Sequence, residues 1–194
     1  METKEGNKKL TRSLAVTAVL LAICMVSQIF KSLSVYITGP VINLCLILAA
    51  MSAGLLWGSV LAVITPVTAF IIAASPVMTA VPMIIPFIML GNEILVLMTH
   101  FLLKPAIADG KPLLGVKPIA FSVLASAAKG AFMGLTISLW LLPSMIPAES
   151  PLRGKMGVFQ ATFSLVQFVT ALIGFVYFFI LWKPLKKVLE GGRP

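Results

Sequence analysis

The chain is short of charge, and of acid above all. Only 11% of its 194 residues are charged and six are Asp or Glu, against 59% hydrophobic. A soluble domain carries roughly 25% charged residues, so much of this surface is built to face lipid. There is one histidine, His100, which excludes a multi-histidine metal site; at the end of an apolar run it reads as an interfacial residue. The two cysteines, Cys24 and Cys45, lie inside apolar runs without metal or disulfide spacing and read as small buried hydrophobes. No G-x-x-x-x-G-K-[ST] occurs, so ATP binding through a P-loop is excluded. An intramembrane relay of acids and histidines is missing as well. No nucleophile–base pair or metal cluster suggests an enzyme, and no cofactor is expected.

The net charge of +9 does not point to nucleic acid. A nucleic-acid surface groups Lys and Arg on one polar face, whereas here they sit at the edges of apolar runs, as in proteins anchored on the cytoplasmic side of a membrane.

What is present is a series of long uncharged stretches. About 20 apolar residues cross a bilayer as a helix. The stretches predict six transmembrane helices, at about 11–30, 41–54, 58–74, 82–103, 118–142 and 158–182. The first follows Lys8, Lys9 and Arg12 and reads as an uncleaved span rather than a signal peptide. Gly39-Pro40 is taken as the breaker before the second. The uncharged run 41–74 is too long for one crossing and predicts a tight hairpin between Gly54 and Gly58. The fold class expected is therefore all-α: residues 1–10 a cytoplasmic segment, 11–183 a six-helix membrane domain, 184–194 a basic tail. With six spans, eleven basic residues fall on the side of the termini and three on the other, Lys129 remaining inside a helix. The positive-inside rule then places both termini in the cytoplasm of a multi-pass cell-membrane protein.

Polar groups within the spans are the candidate site. Charges there are costly and usually functional or paired. Glu93 and Lys129 both fall near mid-span, where they could form an ion pair that locks the bundle or contact a polar ligand. Lys129 shares a helical stripe with Ser122, Ser126 and Thr136, and Gln160, Ser164 and Gln167 form another. Lipid cannot satisfy these groups, so both stripes are expected to face the interior. Asn43 and Asn92 add amides. Tyr36, Lys31, Met145, Glu149, Arg153 and Lys155 lie on the outer segments. The candidate ligand-binding set is Asn43, Asn92, Glu93, Lys129, Gln160, Ser164, Gln167 and Tyr36.

Between Thr38 and Val96 the chain resembles the S components of energy-coupling-factor (ECF) vitamin transporters. The resemblance rests on Thr38-Gly39-Pro40-Val41-Ile42-Asn43, the Gly54 to Gly58 turn, Thr65-Pro66, and Pro86-Phe87-Ile88-Met89-Leu90-Gly91-Asn92. The family's Ala-x-x-x-Ala motif is matched by Ala18 and Ala22, with Ala15 extending the face; small side chains let another helix come close. The resemblance implies a binding subunit that captures a vitamin or related micronutrient outside and docks through that alanine face on a membrane-embedded T component with two ATPase subunits. Segments 31–40, 75–81 and 143–157 would help close the pocket. A self-sufficient secondary transporter or facilitator is the alternative, and inverted internal repeats would mark it; residues 1–97 and 98–194 show no convincing self-similarity.

Overall fold

A computed structural model describes residues 2–30, 34–108 and 111–189. The described residues are helical throughout apart from short turns. The elements are α1 (Glu2–Ile29), α2 (Val35–Ser52), α3 (Leu55–Ala73), the short α4 (Pro76–Ala80), α5 (Ile84–Met98), α6 (Val116–Met133), α7 (Met156–Thr162) and α8 (Leu165–Leu189). Two of them run on through a wider π-helical stretch, α5 through Thr99–Leu103 and α6 through Gly134–Leu141. Six helical segments are long and apolar enough to cross a membrane, the build of a multi-pass membrane protein.

The helix boundaries depart from the sequence reading where local chemistry overrides it. The second span begins at Val35, not 41, because Ser34 caps it: the Ser34 hydroxyl accepts from the Tyr36 N–H at 3.1 Å. Gly39 and Pro40 are thus inside the helix, where the proline offers no N–H to the Tyr36 carbonyl four residues back. The hairpin after α2 is tighter than expected, and α3 starts at Leu55 instead of 58. Gly54 makes it possible, with φ +101°, the one positive φ among the described residues and a conformation that favours glycine. The sixth span is not the continuous helix 158–182. It starts as a 3-10 turn (Pro151–Lys155), passes into α7, breaks at Phe163–Ser164 and resumes as α8.

Two apolar cores hold the bundle. One joins α1, α2, α3, α5 and α8 through Leu20, Leu46, Leu61, Leu95, Phe175 and Phe178. The other gathers α4, the start of α5, the later half of α6 and the helix break through Val77, Met78, Ile84, Met133, Ile137 and Phe163. Buried polar residues fall between the two: Lys129 between Ala125 and Met133, Asn92 between Ile84 and Leu95, Thr170 between Phe163 and Ala171. Glycine lets the helices close on this level. A Cβ at Gly174 of α8 would lie 2.9 Å from the Asn43 Cβ and 3.2 Å from the Leu44 nitrogen and Pro40 oxygen of α2.

Candidate functional site

The site is built around Lys129, 2% exposed on the inner face of α6. Its Nζ donates to Asn43 Oδ1 of α2 at 2.6 Å and to Asn92 Oδ1 of α5 at 2.7 Å. The orientation of each amide is fixed by its other end. Thr170 Oγ1 donates to the Val166 carbonyl at 2.8 Å, so toward Asn43 Nδ2, 3.4 Å away, it acts as acceptor. Asn92 Nδ2 donates to the Ala62 carbonyl of α3 at 3.4 Å and to Thr65 Oγ1 at 3.5 Å. The Ala62 carbonyl is open because Pro66, four residues on, has no N–H to close the helical bond. Proline in α3 thereby creates the acceptor that orients Asn92.

Gln28, wholly buried in the last turn of α1, joins the same network. Its Nε2 donates to the Thr65 carbonyl at 3.0 Å, and its Oε1 has no hydrogen-bond partner among the described residues. An orphaned buried acceptor costs about 1–3 kcal/mol. Gln28, Asn43, Thr65, Asn92 and Lys129 line one cavity of about 330 Å³ together with Gln167. Most of its remaining wall is apolar, including Ile42, Val77, Met78, Ile88, Phe159 and Phe163. No acidic residue lines it among the described residues.

The sequence-derived candidates separate here. Asn43, Asn92, Lys129 and Gln167 come together at the cavity. The other four do not line it. Glu93 follows Asn92, and one residue turns a helix by about 100°. It is half-buried against α3, where Ser59 Oγ donates to its Oε1 at 2.6 Å. The envisaged Glu93–Lys129 ion pair is therefore not formed: each group has its partners elsewhere. Tyr36 is 56% exposed, one helical position away from the lining residue Val35.

Gln160 and Ser164 repair backbone. The π-helical register of α6 sends the Leu142 N–H to the Ile137 carbonyl. The next donor in that register would be Pro143, which has none. Gln160 Nε2 takes up the open Ser138 carbonyl at 3.0 Å, and Ser138 Oγ returns a bond to the Gln160 carbonyl at 2.8 Å. At the α7–α8 break Ser164 Oγ donates to that same Gln160 carbonyl at 2.6 Å. Gln167 serves the break as well, its Nε2 donating to the Thr162 carbonyl at 3.1 Å. In the polar stripe around Lys129, the Ser122, Ser126 and Thr136 hydroxyls bond to their own helix at 2.7–2.8 Å.

Sequence reasoning missed Gln28, Thr65 and Thr170. For Gln28 a signal existed: Thr17, Leu20, Cys24 and Gln28 repeat at spacings of 3, 4 and 4, and all four are buried. Ala15, Ala18 and Ala22 lie on the opposite, exposed side of α1. His100 Nδ1 lies 3.5 Å from the Ala50 carbonyl, away from the cavity. Of the outer-segment candidates, Met145, Glu149, Arg153 and Lys155 do not line it. Lys31 lies outside the described residues.

Comparison with known proteins yields no match to a family model, to a curated protein or to a solved structure.

Proposed function

We propose that this chain is the substrate-binding S component of an ECF-type importer. In this reading it sits in the cell membrane with both termini inside and captures a vitamin-like micronutrient from outside. A T component and two ATPase subunits then drive its delivery.

The observation that carries the reading is the cavity at Lys129. A bundle that needed only stability would be as well served by apolar packing there, since a buried charge is costly to keep. Instead a lysine, two asparagines and two glutamines converge on a space of about 330 Å³, at the low end of the range of about 300–1,000 Å³ typical of small-molecule pockets. The wall includes Val35, Ser75 and Val158, from the end of the bundle away from Lys104, Lys117 and Lys183. The positive-inside rule assigns those lysines to the cytoplasm, so the cavity belongs to the outer half. The exposure of Ala15, Ala18 and Ala22 fits a face reserved for a helix of another protein, since the bundle makes no use of it. The sequence carries no P-loop, so in this reading ATP hydrolysis falls to the other subunits.

The reading is tested by purifying the chain in detergent, releasing bound small molecules and identifying them by mass spectrometry. Uptake of the identified compound is then measured in cells with and without the ATPase subunits. Uptake that stops without the ATPases supports the reading. Uphill accumulation by the chain alone in proteoliposomes overturns it.

A further inference from the structure

We infer that the cargo is a small amphiphilic monoanion, most simply a carboxylate, whose negative group seats on Lys129 and whose body carries an N–H or O–H for Gln28. The inference rests on reading the cavity as a cargo site and goes further by naming the cargo's chemistry.

Charge is the first argument. An ammonium has three N–H donors, and Lys129 has two of them on the Asn43 and Asn92 oxygens. Both acceptors are neutral amides, so they solvate the charge without balancing it. No acid lines the cavity among the described residues, and the acid one residue from Asn92, Glu93, is turned to Ser59. A buried charge without a counter-charge is the costliest state a lysine can hold. A ligand bringing one negative charge removes that cost, a cation increases it, and a dianion leaves an excess. A carboxylate offers charge-assisted acceptance to the third N–H.

The remaining wall sets the rest of the molecule. Val35, Ile42, Val77, Met78, Ile88 and Phe163 favour an apolar body. Gln28 Oε1 lacks a donor, while its Nε2 is committed to Thr65. Thr65 is itself within reach of Asn92, so Gln28 and Lys129 are the two ends of one hydrogen-bonded ribbon along the cavity. A ligand reaching both ends completes it.

The test is binding by calorimetry and thermal shift to the purified full chain. Acids are paired with uncharged counterparts: nicotinate with nicotinamide, pantothenate with pantothenol, biotin with biotinamide, lipoate with lipoamide. Thiamine and pyridoxine serve as cationic and neutral controls. The expected result is that at least one acid binds, about tenfold or more tighter than its partner, the scale of a hydrogen bond to a charged group. Lys129→Gln, which keeps a donor for the asparagines and loses the charge, should bring the two members of that pair together. Gln28→Met should weaken the acid several-fold. Because the discrimination is read on the unaltered protein, the answer does not depend on either variant folding. A neutral counterpart binding as tightly as its acid, or only thiamine or pyridoxine binding, overturns the anion assignment and leaves the cargo reading standing. Unchanged affinity in Gln28→Met overturns the role of that residue. No binding by any probe, with no small molecule released from the purified protein, overturns both readings.

Discussion

Asn92 donates to the carbonyl that Pro66 leaves open in the neighbouring helix. This contact turns the Asn92 oxygen toward Lys129, 2.7 Å away, so a backbone defect in α3 aims a side chain of α5 at a lysine of α6. Replacing Asn92 by Leu opens the Ala62 carbonyl and one Lys129 N–H together. Each orphaned group should cost about 1–3 kcal/mol, read as a lower unfolding midpoint in detergent. Lys129→Met combined with Asn92→Leu should be less damaging than the sum of the two, by roughly 0.5–3 kcal/mol. Strict additivity would show that the contact contributes nothing.

Glu93 offers the contrasting case. Its partner is Ser59, so Glu93→Gln leaves both Lys129 bonds in place. The expected change in unfolding free energy is about 1 kcal/mol or less, the net worth of one ordinary hydrogen bond, with ligand affinity preserved. A loss of about 3–5 kcal/mol, the signature of a broken buried ion pair, would mean that Glu93 and Lys129 do pair.

Gly174 permits the contact between α8 and α2 that frames Asn43. A valine there would meet backbone atoms of Leu44 and Pro40, each at 3.2 Å from the first added carbon, and backbone yields less readily than a side-chain tip. Gly174→Val should destabilise by about 1–3 kcal/mol, the range for overpacking, and weaken ligand binding by displacing Asn43. Gly6, with open space around it near the start of α1, is the control: Gly6→Val should change neither melting nor binding.

Gln160 and Pro143 act on one carbonyl. Gln160→Leu orphans the Ser138 oxygen that Pro143 cannot serve, at a cost of about 1–3 kcal/mol. In a Pro143→Ala background the restored N–H supplies the missing donor, and the same Gln160→Leu change should cost measurably less. Equal costs in the two backgrounds would show that the glutamine's role is unrelated to the proline.

These particulars explain what could be read from the chain in advance. Lys129, Asn43 and Asn92 stood out because a charge or an amide in an uncharged run has to face inward. Glu93 stood out for the same reason, but mid-span depth says nothing of the roughly 100° that separates it from Asn92 around the helix. Gln160 and Ser164 were legible as inward-facing and illegible as backbone repair, because the broken sixth span follows no glycine or proline at Phe163–Ser164. Thr65 and Thr170 are indistinguishable in sequence from threonines that merely bond to their own helix. The early start of α2 turned on Ser34, whose capping bond outweighs the Gly39-Pro40 signal for a break.

The outward face of α1 gives a prediction that separates docking from binding. Ala18 and Ala22 are exposed, and the buried contacts of α1 run along Thr17, Leu20, Cys24 and Gln28 on its other side. Leucines at 18 and 22 therefore enter lipid, not the core, and should leave the melting temperature and ligand affinity unchanged. If another helix must come close at that face, as small residues permit, the added side chains hold it away. Uptake in cells carrying the ATPase subunits should then fall to background, and affinity pull-down of the T component should fail. Were the double variant instead to lose ligand binding while remaining folded, the alanine face would be acting on the cavity. Undiminished uptake by the same variant would remove this face from the coupling route altogether.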